Sequence, residues 1–151
     1  MGIPLLRHYL YIVAVSPSLA LFSRIMALNL LHFADLHLGV ENYGHIAPGT
    51  GLHSRVRDFA ASLATAFDFA IEEEVDLVLF AGDMYKTSDP TPTHQREFAL
   101  QLHRLQEARI PIVLIVGNHD APVAFGKATS IDIFSDLQLA GTHVVRYPEI
   151  L

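Results

Sequence analysis

Three short and mostly apolar segments constrain the fold of this 151-residue chain more than any other feature. They are residues 28–34, 75–81 and 112–116, and each has the length and composition of a buried strand. Between them, apolar residues recur every three or four positions, which is the periodicity of an amphipathic helix. Nearly continuous apolar strands that alternate with helices predict an α/β fold, with a mostly parallel sheet and helices on both faces.

Capping residues place the starts of the predicted helices. Ser54 is a candidate N-cap for the first helix, because its hydroxyl can accept a hydrogen bond from a free N–H group of the first turn. Thr91 followed by Pro92 predicts the start of the second helix, since proline fits the first helical turn. A shorter helix is predicted over about residues 129–137, and a last strand over residues 142–146.

Composition excludes several classes of protein. Hydrophobic residues make up 51% of the chain and charged residues 17%, so the chain is not intrinsically disordered. The net charge of −6 argues against binding nucleic acid through bulk positive charge, although bound metal ions can reverse the sign locally. The chain has no cysteine, which excludes disulfides, thiolate metal sites and a cysteine nucleophile. This fits a reducing compartment, and we expect a cytoplasmic protein.

The first 25 residues do not fit the strand and helix pattern. Arg7 and His8 precede a short apolar run that Pro17 soon ends, which makes a poor signal-peptide core. Met26 lies directly before the first strong strand pattern. We interpret residues 1–25 as an upstream extension or a misplaced start outside the fold; a weak signal or anchor and a true structural element are the alternatives. No apolar run reaches the roughly 18 residues of a membrane span, and we expect no membrane association.

Residues of the types that bind metals follow each of the three apolar segments. Because the carboxyl ends of parallel strands meet at one edge of a sheet, these side chains are expected to converge there. Each short motif is weak alone, since such residues are common in turns and caps, but their shared position after three successive strands predicts a site. In chain order the residues are Asp35, His37, Asp83, Asn118, His119 and Asp120.

Carboxylate, imidazole and amide ligands without thiolate suit a pair of divalent cations that activate a phosphoryl group. Mn²⁺, Mg²⁺, Fe and Zn²⁺ all accept such ligands, and carboxylate-rich sites favour the harder ions. Asp35 and His37 are separated by one residue, so both can reach the same ion. Gly82 allows the backbone to turn so that Asp83 can bridge both ions. Asn118 can contribute a neutral oxygen to the second ion.

The last two residues of the set suit proton transfer rather than metal binding. His119 can protonate the leaving group or stabilise negative charge on the phosphate. Asp120 can orient the imidazole ring of His119 through a hydrogen bond.

The chain resembles the calcineurin-like metallophosphoesterase family over about residues 26–151, and within it the SbcD-type DNA nuclease branch. The first segment that carries the resemblance is residues 32–39, where Leu-Gly follows the Asp-x-His motif. The second is residues 76–83 together with the Pro-Thr-Pro of residues 90–92. The third is residues 110–120, which contain Gly-Asn-His-Asp.

The resemblance implies the N-terminal half of a metallophosphoesterase α/β sandwich. It implies metal binding by Asp35, His37, Asp83 and Asn118, and catalysis by His119 with the aspartate that follows it. Two divalent ions, usually Mn²⁺, would serve phosphodiester hydrolysis at the ends of double-stranded DNA. The resemblance also implies that the full-length protein is a homodimer and works with an SbcC-type ABC ATPase subunit.

The sequence departs from the family pattern after Gly117. The family completes its metal site with later Gly-His and Gly-His-x-His segments, and the one later histidine here, His143, lies in a predicted strand. We therefore expect residues 26–151 to be a truncated nuclease domain with little or no activity on its own. The alternatives are another metallophosphoesterase that acts on a cyclic nucleotide or phosphoprotein, and a non-catalytic remnant that dimerises or binds a partner.

Overall fold

A computed structural model describes residues 8–11, 27–49, 51–122, 124 and 126–147. Its five-stranded sheet has the order β1-β2-β3-β4-β5. Strands β2 to β5 are parallel, whereas β1 pairs antiparallel with β2. The α/β fold and the mostly parallel sheet are therefore confirmed. The strands are β1 (His8–Tyr11), β2 (Ala27–Phe33), β3 (Leu77–Phe80), β4 (Ile112–Ile115) and β5 (Thr142–Val145).

Of the 25 residues interpreted as an extension, the structure describes the four of β1, which pair with the edge of β2. The others lie outside the described residues. The interpretation of this segment as an extension, and with it the boundary at residue 26, stays a prediction.

The described residues form three helices, α1 (Ser54–Glu72), α2 (Pro92–Glu107) and α3 (Asp132–Asp136). Helix α2 begins as predicted, with the Thr91 hydroxyl accepting the N–H of His94 at 3.3 Å. The N-cap of α1 is His53 and not Ser54, because His53 has the extended backbone of a cap and its Nδ1 accepts the N–H of Arg55. Helix α3 is shorter than predicted. None of these helices is both long enough and apolar enough to cross a bilayer.

All three helices pack on the same face of the sheet. Alternate residues along the strands, such as Phe80 of β3, point into this face and join one hydrophobic core with the helices. The Phe98 ring of α2 lies between Phe80 and the Phe134 ring of α3, with ring centroids 6.0 and 5.5 Å away. The sequence predicts helices on both faces, whereas the opposite face, which includes Leu79 and Val113, is only half-buried by the described residues.

Candidate metal centre

The loops after β2 and β3 run side by side beyond the carboxyl edge of the sheet. The N–H groups of Asp35, His37 and Leu38 donate to the carbonyls of Gly82, Asp83 and Met84, respectively, over 2.9–3.1 Å. Buried and unburied residues alternate along the first loop, in which Leu36 and Leu38 are buried in the core. The polar residues between them are therefore left on the outer side of the loop, beside the second loop.

This pairing brings together three of the predicted metal ligands, Asp35, His37 and Asp83. One ligand atom from each lies within 4.8 Å of the other two. The Nε2 of His37 is 3.5 Å from an Asp35 carboxylate oxygen, and the Asp35 side chain is 71% exposed. Two carboxylates and one imidazole, reachable from solvent and free of thiolate, are a donor set that fits Mn²⁺, Mg²⁺, Fe or Zn²⁺.

Each residue of this ligand group has a left-handed backbone. The φ angles are 59° at Asp35, 48° at His37 and 58° at Asp83. Such a conformation costs roughly 1–2 kcal/mol for a residue other than glycine, although aspartate and histidine tolerate it better than most. Strained backbone that is concentrated at converging polar side chains is typical of functional sites.

Two glycines allow the turn after β4 to approach the ligand group. A Cβ atom added to Gly82 would lie 2.8 Å from the Cα of Gly117. A Cβ atom added to Gly117 would lie 2.2 Å from both the backbone nitrogen and a carboxylate oxygen of Asp83. Since real Cβ atoms do not approach so closely, Gly117 is required by the position of Asp83.

His119 lies beside the ligand group. Its backbone N–H donates to an Asp83 carboxylate oxygen at 2.9 Å, and its ring packs edge-to-face against His37 with centroids 4.9 Å apart. Its Nδ1 is 2.9 Å from the backbone carbonyl oxygen of Lys86. A carbonyl oxygen can only accept, so this contact places the proton on Nδ1 and leaves Nε2 available to a substrate.

Asp120 has a different place from the one that the sequence suggests. From the sequence, its carboxylate is expected to orient the His119 ring, but the side chain is 0% exposed and lies beneath the turn. It accepts the backbone N–H groups of Gly117, Met84 and Tyr85 at 3.1–3.2 Å. The contact with the ring is instead made by the Lys86 carbonyl, because the side chains of successive residues in this turn point to opposite sides.

The Tyr85 side chain is fully buried in the same loop, and its hydroxyl has no hydrogen-bond partner among the described residues. Burial, and secondarily the negative charge of Asp120, raises the pKa of Tyr85 well above its ordinary value of 10.0. The tyrosine is therefore neutral and acts as a packing residue behind the predicted metal ligands.

Asn118 is exposed and lies in the chain between Gly117 and His119, both of which contact Asp83. Asn118 lines a neighbouring cleft. Sequence reasoning did not identify the Lys86 carbonyl as a functional group, and no signal for it exists, because every residue carries the same carbonyl.

Known proteins are similar to this chain over most of its length. The family model for calcineurin-like phosphoesterases matches residues 28–149. The chain is 36% identical over 117 residues to a "DNA double-strand break repair protein Mre11" of Methanosarcina mazei, covering 76% of this chain and 17% of the relative. The protein of that name from Thermoplasma acidophilum is 32% identical over 118 residues, covering 78% and 30%.

An "uncharacterized metallophosphoesterase YhaO" of Bacillus subtilis is 34% identical over 94 residues, which are 62% of this chain and 23% of that protein. The chain thus spans less than a third of the length of each of these three relatives. The family match covers most of the chain and includes every residue of the candidate site. The chain therefore belongs to the calcineurin-like phosphoesterase family.

Proposed function

We propose that this chain carries part of the active site of a metal-dependent DNA nuclease. The observation that carries the proposal is the grouping of Asp35, His37 and Asp83, whose ligand atoms lie within 4.8 Å of one another, with the His119 ring beside them. The relatives named as DNA double-strand break repair proteins support DNA as the substrate. The reaction would be hydrolysis of phosphodiester bonds at the ends of double-stranded DNA.

Divalent cations bound here would supply Lewis-acid stabilisation of the phosphate and an activated water. Asp35 and His37 would hold one ion, Asp83 would contribute to both, and Asn118 would contribute its amide oxygen to the second. The family resemblance makes Mn²⁺ the first candidate, and the carboxylate and imidazole ligands are also compatible with Mg²⁺, Fe and Zn²⁺.

His119 would act on the phosphate or on the leaving oxygen. Its Nδ1 is held by the Lys86 carbonyl, so Nε2 is the atom that can donate or accept a proton. Asp120 would be a positioning residue, because it ties the backbone of Met84 and Tyr85 to that of Gly117 and touches none of the candidate ligands through its described hydrogen bonds.

Partners are inferred from family resemblance. We propose that the full-length protein is a cytoplasmic homodimer that works with an SbcC-type ABC ATPase subunit on DNA ends. The isolated 151-residue chain should have little or no nuclease activity, because the four proposed ligands underfill the coordination shells of two divalent ions, each of which usually takes four to six donors or more.

The proposal is tested by titrating Mn²⁺ into the purified chain and measuring binding by calorimetry. Wild type should bind Mn²⁺ and Asp83→Asn should bind it at least tenfold more weakly. Asp136→Asn makes the same chemical change at an exposed aspartate of α3 and should bind like wild type. Equal binding by all three proteins, or no binding by wild type, would contradict the metal centre.

The substrate class is tested with the full-length protein and Mn²⁺. Linear double-stranded DNA should be cleaved faster than a cyclic nucleotide or a phosphopeptide. Preference for either small substrate would instead favour another phosphoesterase activity. A full-length protein that binds no Mn²⁺ and cleaves none of these substrates would favour a non-catalytic role.

A further inference from the structure

The ligand loop, residues 34–39, carries Asp35 and His37 and turns sharply at its end. Gly39 has a φ angle of 106°, in the region that favours glycine, and the N–H of Val40 donates to the His37 carbonyl at 3.2 Å. The turn therefore begins at a candidate ligand. A group that packs on Gly39 can influence where the His37 side chain lies.

The imidazole ring of His94, in the first turn of α2, packs on Gly39. A Cβ atom added to Gly39 would lie 2.7 Å from Cε1 and 2.9 Å from Nδ1 of this ring. No larger side chain fits at this position while the ring stays in place. The His94 side chain is only 12% exposed, so the ring is enclosed against the loop. The Leu-Gly pair that follows the Asp-x-His motif thus has a structural reason in this chain.

His94 also contacts the chain beyond the turn. Its Nε2 lies 3.7 Å from a carboxylate oxygen of Glu41, whose side chain is 50% exposed. Solvent weakens an attraction between groups that are so exposed. The packing on Gly39 is therefore the main contact between α2 and the ligand loop, and the Glu41 contact is secondary.

Helix α2 holds the His94 ring in a fixed place. The Thr91 hydroxyl accepts the N–H of His94 at the start of the helix. Phe98 follows four residues later on the same face of the helix and is fully buried, with its ring packed against Phe80 and Tyr85. The helix is thus anchored in the core one turn from His94, so the ring can serve as a rigid support.

We propose that His94 is a positioning residue for the candidate metal centre. Its ring supports Gly39 and so keeps Asp35 and His37 in the geometry that binds a cation. His94 touches none of the candidate ligands through its described contacts and acts through the backbone of the loop. The inference rests on the proposed function, but it also predicts a property of the metal-free chain.

That property is amide hydrogen exchange, measured by NMR with EDTA present. His94→Ala should speed exchange at the amides of His37 and Leu38, which bond to the loop after β3, by about tenfold. His103→Ala is the matched control on the same helix, because this histidine also lies near a glutamate, at 3.6 Å, but is 66% exposed. It should leave both amides unchanged. Unchanged exchange in His94→Ala, or an equal rise throughout the chain, would overturn the proposal.

Mn²⁺ affinity, measured by calorimetry, separates positioning from stability. A variant that is merely less stable binds as tightly as wild type as long as it stays folded, because only the folded chain binds. His94→Ala should bind Mn²⁺ about tenfold more weakly than wild type, the loss expected when a residue that orients metal ligands is removed. His103→Ala should bind like wild type, and a loss as large as that of His94→Ala would overturn the proposal.

Two further variants test whether packing is the cause. His94→Phe keeps a flat ring, and His94→Asn keeps a smaller planar group where Nδ1 lies, so at least one should bind Mn²⁺ more tightly than His94→Ala. Glu41→Gln should have little effect. If neither ring replacement restores affinity, the packing on Gly39 does not position the ligands.

Gly39→Ala provides a paired test of the same contact. In the wild-type background the added methyl group must displace the His94 ring, so Mn²⁺ affinity should fall. In the His94→Ala background the space is vacated, and the same change should cost less affinity, with only the backbone strain remaining. An equal loss in both backgrounds would contradict the proposed contact.

The two measurements distinguish this inference from the proposed function. Mn²⁺ binding that depends on Asp83 but not on His94, with unchanged exchange in His94→Ala, would overturn the inference alone. Faster exchange of the ligand loop in His94→Ala, in a chain that binds no Mn²⁺, would support the role of His94 in holding the loop and overturn the metal centre.

Discussion

The side chains of His119 and Asp120 leave the turn after β4 in opposite directions. The His119 ring is exposed and packs against His37, whereas the Asp120 carboxylate is fully buried and accepts three backbone N–H groups. His119 faces the candidate ligands, and Asp120 attaches the turn to the loop after β3. The Lys86 carbonyl of that loop holds the His119 ring, so the hydrogen bonds of Asp120 also help to position His119.

Removal of the Asp120 carboxylate should destabilise the protein. Asp120→Ala leaves three N–H groups without this acceptor, two of them buried, and we expect the free energy of unfolding to fall by about 3 kcal/mol. Asp120→Asn keeps the shape and one acceptor oxygen, so its loss should be smaller. Urea denaturation measures both, with Asp136→Ala as an exposed control that should change stability by less than about 0.5 kcal/mol. Equal stability of Asp120→Ala and this control would show that the buried contacts contribute nothing.

Gly117→Ala should impair metal binding. The added methyl group would collide with the backbone and carboxylate of Asp83, so the ligand group must move to relieve the contact. We expect at least a tenfold loss of Mn²⁺ affinity by calorimetry. Gly49→Ala is the control, because Gly49 has a positive φ but no atom near its added Cβ. If Gly117→Ala binds Mn²⁺ as tightly as this control does, the close approach has no functional role.

Stability at alkaline pH should depend on Tyr85. Its pKa is raised in the folded protein, so above the ordinary value of 10.0 the unfolded chain loses the phenolic proton while the folded chain keeps it. The free energy of unfolding therefore falls as the pH rises beyond 10, by up to about 1.4 kcal/mol per unit from this group. Below that pH the group contributes no such dependence.

Tyr85→Phe tests this by removing the titrating hydroxyl while keeping the ring. Denaturation at pH 7 to 11 should give a shallower alkaline loss than wild type shows. At pH 7 the variant should be nearly as stable as wild type or more stable, because the hydroxyl has no partner among the described residues. Tyr43→Phe alters an exposed ring and should follow the wild-type curve. A wild-type slope in Tyr85→Phe would assign the alkaline loss to other groups.

Mn²⁺ should stabilise the folded chain, since a ligand that binds only the native state adds to its stability. At a free concentration 100 times the Kd the gain is about 2.7 kcal/mol, visible as a rise in Tm in a thermal melt. EDTA should reverse the rise, and Asp35→Ala should abolish it. Asp58→Ala changes an exposed aspartate of α1 and should keep it. A rise of equal size in Asp35→Ala would place the bound metal elsewhere.

The sequence by itself determined the α/β architecture and the edge of the sheet where the site lies. Apolar segments and helical periodicity are local properties, and parallel strands must present their carboxyl ends together. The predicted convergence of Asp35, His37 and Asp83 follows from this alone, as does the start of α2 at Thr91. The strand and helix patterns and the start of α2 depend on residues that are close together in the chain, so they can be read from the sequence.

Only the tertiary structure decided which way each side chain of the site points and what it touches. The buried Asp120 carboxylate accepts the N–H groups of Met84 and Tyr85, which lie 36 and 35 residues away in the chain. Its burial therefore depends on a contact between distant segments. The group that holds His119 is a backbone carbonyl, which has no signature in any sequence. The cap of α1 at His53 depends likewise on the backbone conformation at that residue. Such contacts arise from packing between distant segments, and their geometry exists only once the chain has folded.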